Sequence, residues 1–578
     1  MASTSVNRQA VHDACEGMSD LDVLDLELQP EARLELLPLA RQKRNARTAA
    51  CLLPPEILTA VFSYLQAGWW PSTKTGRRER YGAGWMVVAK VCSFWRQVVL
   101  GTPSLWCELD CLSFHPQSVE EVISRSRALP LSLRIIGSAS RDDLVSWLCS
   151  SVTPRVRKLI IAGGSRADLF GWIELLYAAM PLLTELHIAV TVHSSDPTPN
   201  FLPTAFLGGT RPPHLRVVFF TGLMCAWDSS PVSLSTSPSL SDLVLYGSTR
   251  AQIIPPSQVV STLASLVNIH RLALFHILPN EIHTNARRDP IPVPPKLRDL
   301  DLRAASRYSA SIPAFLDQFP AWAASDINLC ARFKNPDDAI LDATLPRLFS
   351  PHHSLVVRPE MFLSREAISI VYLREEPSPS QWATKLVLSQ FPLIAYDRQF
   401  FERNIDTRKM DPDRTLVSKL PLLNLAELRA LHVTSDAAAG LRGERAWTQC
   451  FASATKVDRV AGFYADLHDL ICALRVIEDS GPSDREGSFA LFPALEVLVF
   501  HAKPTKDTRS ITENADAPEE HDIQESTFAE NNAALIDLLA ARDARGRPVK
   551  DILVDEAMSG WDLWEMPALR DTTHIWFF

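Results

Sequence analysis

Asp466, His468 and Asp469 gather three ionisable side chains within four positions, a set able to move protons as general acid and base. Nothing near them in the sequence offers a nucleophile. Cys107 and Cys111 have the spacing of half a metal site, but no second pair follows, so they read as two half-buried thiols. His352-His353 sits in a proline-flanked stretch without carboxylates at helical spacing and reads as ordinary loop. Gly163-Gly164-Ser165 follows an apolar run as a phosphate-binding turn would, yet the later glycine and lysine are missing, so a plain turn is expected. The chain has no Gly-x-Ser-x-Gly elbow, Gly-x-Gly-x-x-Gly turn, Gly-Lys-Ser/Thr loop or His-Glu-x-x-His pair. The expectation is a protein that is not an enzyme and takes no cofactor and no metal. A catalytic alternative would rest on Asp466 and His468.

The elements around these residues belong to a chain of 578 residues, too long for one core, with 46% hydrophobic and 22% charged residues. A net charge of −9 argues against a nucleic-acid surface, which needs clustered basic residues. No apolar run reaches the roughly 18 residues of a membrane span, and residues 1–20 lack the apolar core of a signal peptide. Ten cysteines without paired spacing and no Asn-x-Ser/Thr site fit a reducing compartment, cytoplasmic and/or nuclear.

The stretch from Leu53 to Trp106 organises the rest. Pro54 and Pro55 suit the first turn of a helix, where a missing N–H costs nothing. Ile57, Leu58, Val61, Phe62 and Leu65 then mark one apolar helical face. Val88, Val91, Cys92, Trp95, Val98 and Val99 repeat the spacing in a second helix, which Gly101 and Pro103 end. A few short helices totalling about fifty residues cannot bury that much apolar surface alone. Their surplus face calls for a partner.

The run Leu53-Pro54-Pro55-Glu56-Ile57, Phe62-Ser63-Tyr64-Leu65, Val91-Cys92-Ser93-Phe94-Trp95-Arg96 and Leu105-Trp106 resembles an F-box. The resemblance implies docking on the Skp adaptor of cullin–RING ubiquitin ligases, through Leu53, Pro54, Ile57, Leu58, Phe62, Leu65, Val91 and Trp95. Residues 66–84 depart from the family pattern as an insertion carrying Trp69, Trp70 and several arginines, expected to be a surface loop with its tryptophans tucked against the helices. The following Ser118–Arg127 helix and Leu129–Ile135 strand are also similar to the fungal F-box-like family.

Beyond residue 113 a signature recurs: apolar, two mostly polar, apolar, any, apolar. Copies begin at Val156, Leu183, Leu215, Leu240, Ile269, Leu297, Leu428, Leu495 and Val549, with weaker ones near Ile327, Val356, Leu386 and Val460. Up to Leu300 they fall about 28 residues apart, within the leucine-rich-repeat range, and apolar helical stretches lie between them. One strand and one helix cannot close a core, but stacked neighbours can. The expected fold is therefore α/β: a helical F-box at 51–112 after a flexible or helical segment at 1–50. It leads into an irregular leucine-rich-repeat solenoid at 113–578, with a curved parallel sheet inside and helices outside. Arg365–Ser380 reads as an excursion. The acidic stretch 503–532 reads as a disordered loop, followed by a helix at 533–541 and a final strand or cap at the apolar terminus.

The functional expectation is the substrate-recognition subunit of an SCF-type ligase, binding the Skp adaptor through the F-box and a target protein through the repeats. The alternative is an interaction scaffold that never joins a ligase.

Overall fold

The computed structural model describes residues 42, 44–45, 47–74, 80–192, 201–209, 212–223, 239–247, 263–278, 293–304, 310–318, 327–333, 336–349, 358–373, 400–407, 416–477, 488–502 and 528–578. It divides into two units, the first ending at Asp242 and the second running on to Phe578, with Gly247–Gln252 counted in the first and Leu243–Tyr246 in the second. The expected segment at 1–50 falls almost wholly outside the described residues.

In the first unit, Pro54 caps and Pro55 opens helix α1 (Pro55–Gly68). The insertion then forms a short antiparallel hairpin, β1 (Ser72–Lys74) with β2 (Arg80–Gly82), rather than a plain loop. The second helix is not continuous as its periodicity predicts. Gly84–Lys90 winds as a 3₁₀ helix, the chain straightens at Cys92 (φ −155°, ψ 171°), and helix α2 (Ser93–Gly101) starts afresh. The reason is a cap that apolar periodicity conceals: the Cys92 Sγ accepts the Trp95 N–H at 3.4 Å, doing what a serine oxygen does at a helix start.

Five parallel strands follow: β3 (Glu108–Asp110), β4 (Leu131–Ile136), β5 (Val156–Ser165), β6 (Glu185–Thr191) and β7 (Val217–Thr221). The recurring signature supplies their buried rows. Leu133, Leu159, Leu186 and Val218 lie side by side, as do Ile135, Ile161, Ile188 and Phe220. Because strand side chains alternate, this register sends every second residue inward.

The second unit takes all of β8 (Asp242–Tyr246) but its first residue, then the parallel run β9 (Arg271–Phe275), β10 (Asp299–Ala304) and β11 (Asn328–Phe333). The chain then leaves this simple order. β12 (Arg358–Leu363), β13 (Ala367–Leu373) and β14 (Phe400–Asp406) form an antiparallel trio, with β14 beside β11 and β12 beside β15 (Ala430–Val433). β16 (Arg459–Phe463), β17 (Val497–His501), β18 (Asp551–Val554) and β19 (His574–Phe577) complete the parallel series. The expected excursion at 365–380 is thus corrected for 367–373, where every residue of β13 is buried. Charge and proline flanking Val371-Tyr372-Leu373 mask a core strand.

The acidic stretch is also corrected at its end. Helix α3 (Ala529–Asp543) begins there and buries Asn531, while 503–527 lie outside the described residues. The apolar terminus is a strand, as expected, but Trp576 and Phe577 stay exposed; Phe578 packs on Ala461, Val497, Val499 and Leu553.

Candidate partner-docking surface

A helix with apolar residues at both i and i+1 has two greasy sides, and α1 divides them. Leu58, Phe62 and Gln66, four residues apart, face inward and are buried, Phe62 completely. Phe62 meets Trp95 edge-on with ring centroids 5.2 Å apart. Gln66 fixes the helix to its own chain, its Nε2 donating to the carbonyls of Leu105 and Glu108, both at 3.2 Å. Behind them Trp106 packs 5.4 Å from Trp85 and donates its indole N–H to the Val99 carbonyl at 2.9 Å. The Arg125 guanidinium lies over that ring at 4.6 Å from its centroid.

Among the described residues, nothing covers the other side of α1. Leu53, Pro54, Ile57, Val61 and Tyr64 are exposed, with Ile57 at 50% and Tyr64 at 84%. Val91, just ahead of α2, is 58% exposed, and Leu52 and Val87 are also open to solvent. Of the eight residues that the motif names, Leu53, Pro54, Ile57 and Val91 therefore lie on the surface. Leu65 and Trp95 are half-buried, and Leu58 and Phe62 lie beneath. The motif left out Val61 and Tyr64, though the helical repeat from Ile57 points to both at i+4 and i+7. The Trp95 indole N–H is enclosed without an acceptor among the described residues.

The insertion is held close to this module. Gly84 has φ +53°, and a Cβ there would stand 2.4 Å from the Pro71 nitrogen, so only glycine lets the chain return. The Trp85 N–H closes on the Trp69 carbonyl at 2.8 Å. Trp70 is half-buried under the guanidinium of Arg134 from strand β4 at 4.8 Å, rather than against the helices as expected, and Trp69 is half in solvent.

The other residues singled out for chemistry are occupied structurally. His468 Nδ1 stands 3.1 Å from the Asn531 Oδ1, and its Nε2 stands 3.7 Å from the Cys472 Sγ. This cysteine–histidine–asparagine set lies along the packing of His468–Ala473 against α3. Burial pushes the Cys472 thiol up, the reverse of an activated nucleophile. Asp469 accepts the Gly443 N–H at 2.9 Å, and Asp466 is also engaged. Gly163-Gly164-Ser165 ends β5, and Ser165 caps the next helix in a reciprocal box with Asp168. Cys107 is half-buried and Cys111 buried. His352-His353 lies outside the described residues. Among the described residues no group of three or more His, Cys, Asp or Glu could hold a metal, and no helix is long and apolar enough to cross a membrane.

The small helical module thus closes on its own chain with one side of α1 and exposes apolar residues on the other. Residues 50–112 match the F-box-like family, and the chain carries an F-box-like domain there. No curated protein matches the chain.

Proposed function

We propose that this chain is the substrate-recognition subunit of an SCF-type cullin–RING ubiquitin ligase. The F-box-like domain docks on the Skp adaptor through Leu53, Pro54, Ile57, Val61, Tyr64 and Val91, with Leu65 and Trp95 at the rim. Leu58 and Phe62 hold the helix that presents them. The observation that carries this reading is the open apolar side of a domain whose family defines an adaptor-binding module. The remainder is read as a degenerate leucine-rich-repeat array that grips a target protein. Its in-register Leu272, Leu300 and Leu329 rows support repeats. A cavity of about 260 Å³ walled by Arg271, Asp299, Asp301, Asn328, Arg332 and Glu402 offers a polar grip. Catalysis is left to the ligase; the chain raises the target's effective concentration beside it.

Co-purification of the full-length chain with the Skp adaptor tests the docking. The Ile57→Glu/Val91→Glu double variant, which touches exposed positions, is expected to lose the adaptor while melting like wild type. Equal recovery of both would remove the ligase reading and favour the scaffold alternative, which the β1–β2 insertion supports.

A further inference from the structure

Cys51 and Cys92 come from segments 41 positions apart, yet their sulfurs stand 3.6 Å from each other. Cys51 ends a short 3₁₀ turn ahead of α1, and Cys92 caps α2. Both thiols are half-buried rather than sealed. A cavity of about 200 Å³ opens onto the pair, with Asn45, Ser93 and Gln97 among its walls, wide enough for a small oxidant. The other described cysteines face different neighbours: Cys107 donates to the Pro103 carbonyl, Cys149 meets Ser151, and Cys330 meets Arg332.

We propose that Cys51 and Cys92 form a reversible redox couple that a peroxide closes into a disulfide. Burial raises the Cys92 thiol, so the Cys51 thiolate attacks the peroxide. Its S–O bond forms as the O–O bond breaks, giving a sulfenic acid, while the departing hydroxide takes up the proton the thiol gave up and leaves as water. The second sulfur displaces the hydroxyl from that sulfenic acid, forming the S–S bond and releasing a second water. Two thiols thus give up two electrons and two protons, and one hydrogen peroxide becomes two waters. The sulfurs must approach from 3.6 Å to about 2.05 Å. That approach draws the Cys92 Sγ away from the Trp95 N–H it caps. Side-chain rotation at two half-exposed positions supplies the movement. The proposal does not depend on adaptor docking.

The full-length chain, treated with a few equivalents of hydrogen peroxide, alkylated and digested, provides the test. Expected is a linked pair of peptides containing Cys51 and Cys92, lighter by two hydrogens and released by dithiothreitol. Cys51→Ser and Cys92→Ser should each abolish it. Serine at 92 keeps a capping acceptor, so an unchanged melting curve shows that the fold survives. Full alkylation of Cys51 and Cys92 at peroxide levels that oxidise Cys149 would overturn the proposal. So would sulfinic acid at either position with no linked peptide.

Discussion

In the F-box-like domain Ile57, Val61, Tyr64 and Val91 hold apolar surface in water, whereas in the second unit Glu360, His432, Arg459 and His501 hold polar groups away from it. Each arrangement is costly alone, and the chain compensates in different ways. The polar group is paired internally. Glu360, Ala430 and Arg459 occupy one row across β12, β15 and β16, and the small Ala430 lets Arg459 reach over it to hydrogen-bond the Glu360 carboxylate. His432 stands 3.6 Å from that carboxylate and stacks on Phe362 at 4.2 Å. Burial alone would raise the Glu360 carboxyl, but the neighbouring His432 and the Arg459 charge hold it below its ordinary value. Among the described residues, the exposed apolar residues of the F-box-like domain have no such counterpart in their own unit. A mismatch repaired inside the molecule serves stability; one left open is directed outward.

The largest effect should come from breaking the internal repair. Arg459→Met strands a buried carboxylate and is expected to cost about 3–5 kcal/mol of stability. Replacing both partners, as in Glu360→Leu/Arg459→Met, should recover most of it, as paired denaturation curves would show. A loss in the double variant as deep as in the single would mean that the pair is not coupled.

The docking module should separate packing from binding. Phe62→Ala opens a cavity under α1 and is expected to lower stability by about 3–5 kcal/mol. Ile57→Ala should leave the melting curve unchanged and weaken adaptor binding by about 2–4 kcal/mol if it is an anchor. Titration calorimetry beside thermal melts reads both quantities. Equal destabilisation by the two variants would contradict the division of α1 into inner and outer sides.

Acid should act on the polar side of the comparison. Burial, then the neighbouring His432, drives His501 from 6.5 down to about 4, with Asp555 opposing. The folded chain thus keeps His501 neutral, while the unfolded chain takes up its proton as pH falls through 6.5. Stability from this group is full above that value and drains away toward about pH 4, on the order of 2 kcal/mol of it by pH 5. Glu360, held low, loses its contribution in the same direction at still lower pH. His501→Phe should flatten the dependence of melting temperature between neutral pH and pH 5; an unchanged slope would dismiss His501 as its source. The smallest change expected is at the cap: Cys92→Ala should cost about 0.5–1 kcal/mol and Cys92→Ser almost nothing, measured by chemical denaturation.

The strand rows were legible because Leu133, Leu186 and Leu300 alternate with polar neighbours, and that period sets the buried face without help from distant residues. What escaped depends on contacts that pattern does not encode. Arg459 and Glu360 would be assigned outward by polarity, and only the neighbouring strand's Ala430 explains why they can be inside. Cys92 sat within an unbroken apolar period, so its capping role was hidden. For the docking surface, spacing located the helix but could not say which side of α1 the chain itself would cover. That choice was made by Gln66 and its two carbonyls, more than thirty positions downstream.

The detour through β12, β13 and β14 has a kinetic consequence. β11 cannot find its neighbour in the next strand synthesised; it waits for β14, whose first residue is Phe400. Zippering from the amino-terminal side must therefore stall at Phe333 until some seventy further residues have emerged. Chains cut within 374–399 should leave β11 as a naked edge, while chains ending after Asp406 should protect its backbone amides from exchange even though β12 still waits for β15. Hydrogen exchange of the truncations would read that difference directly.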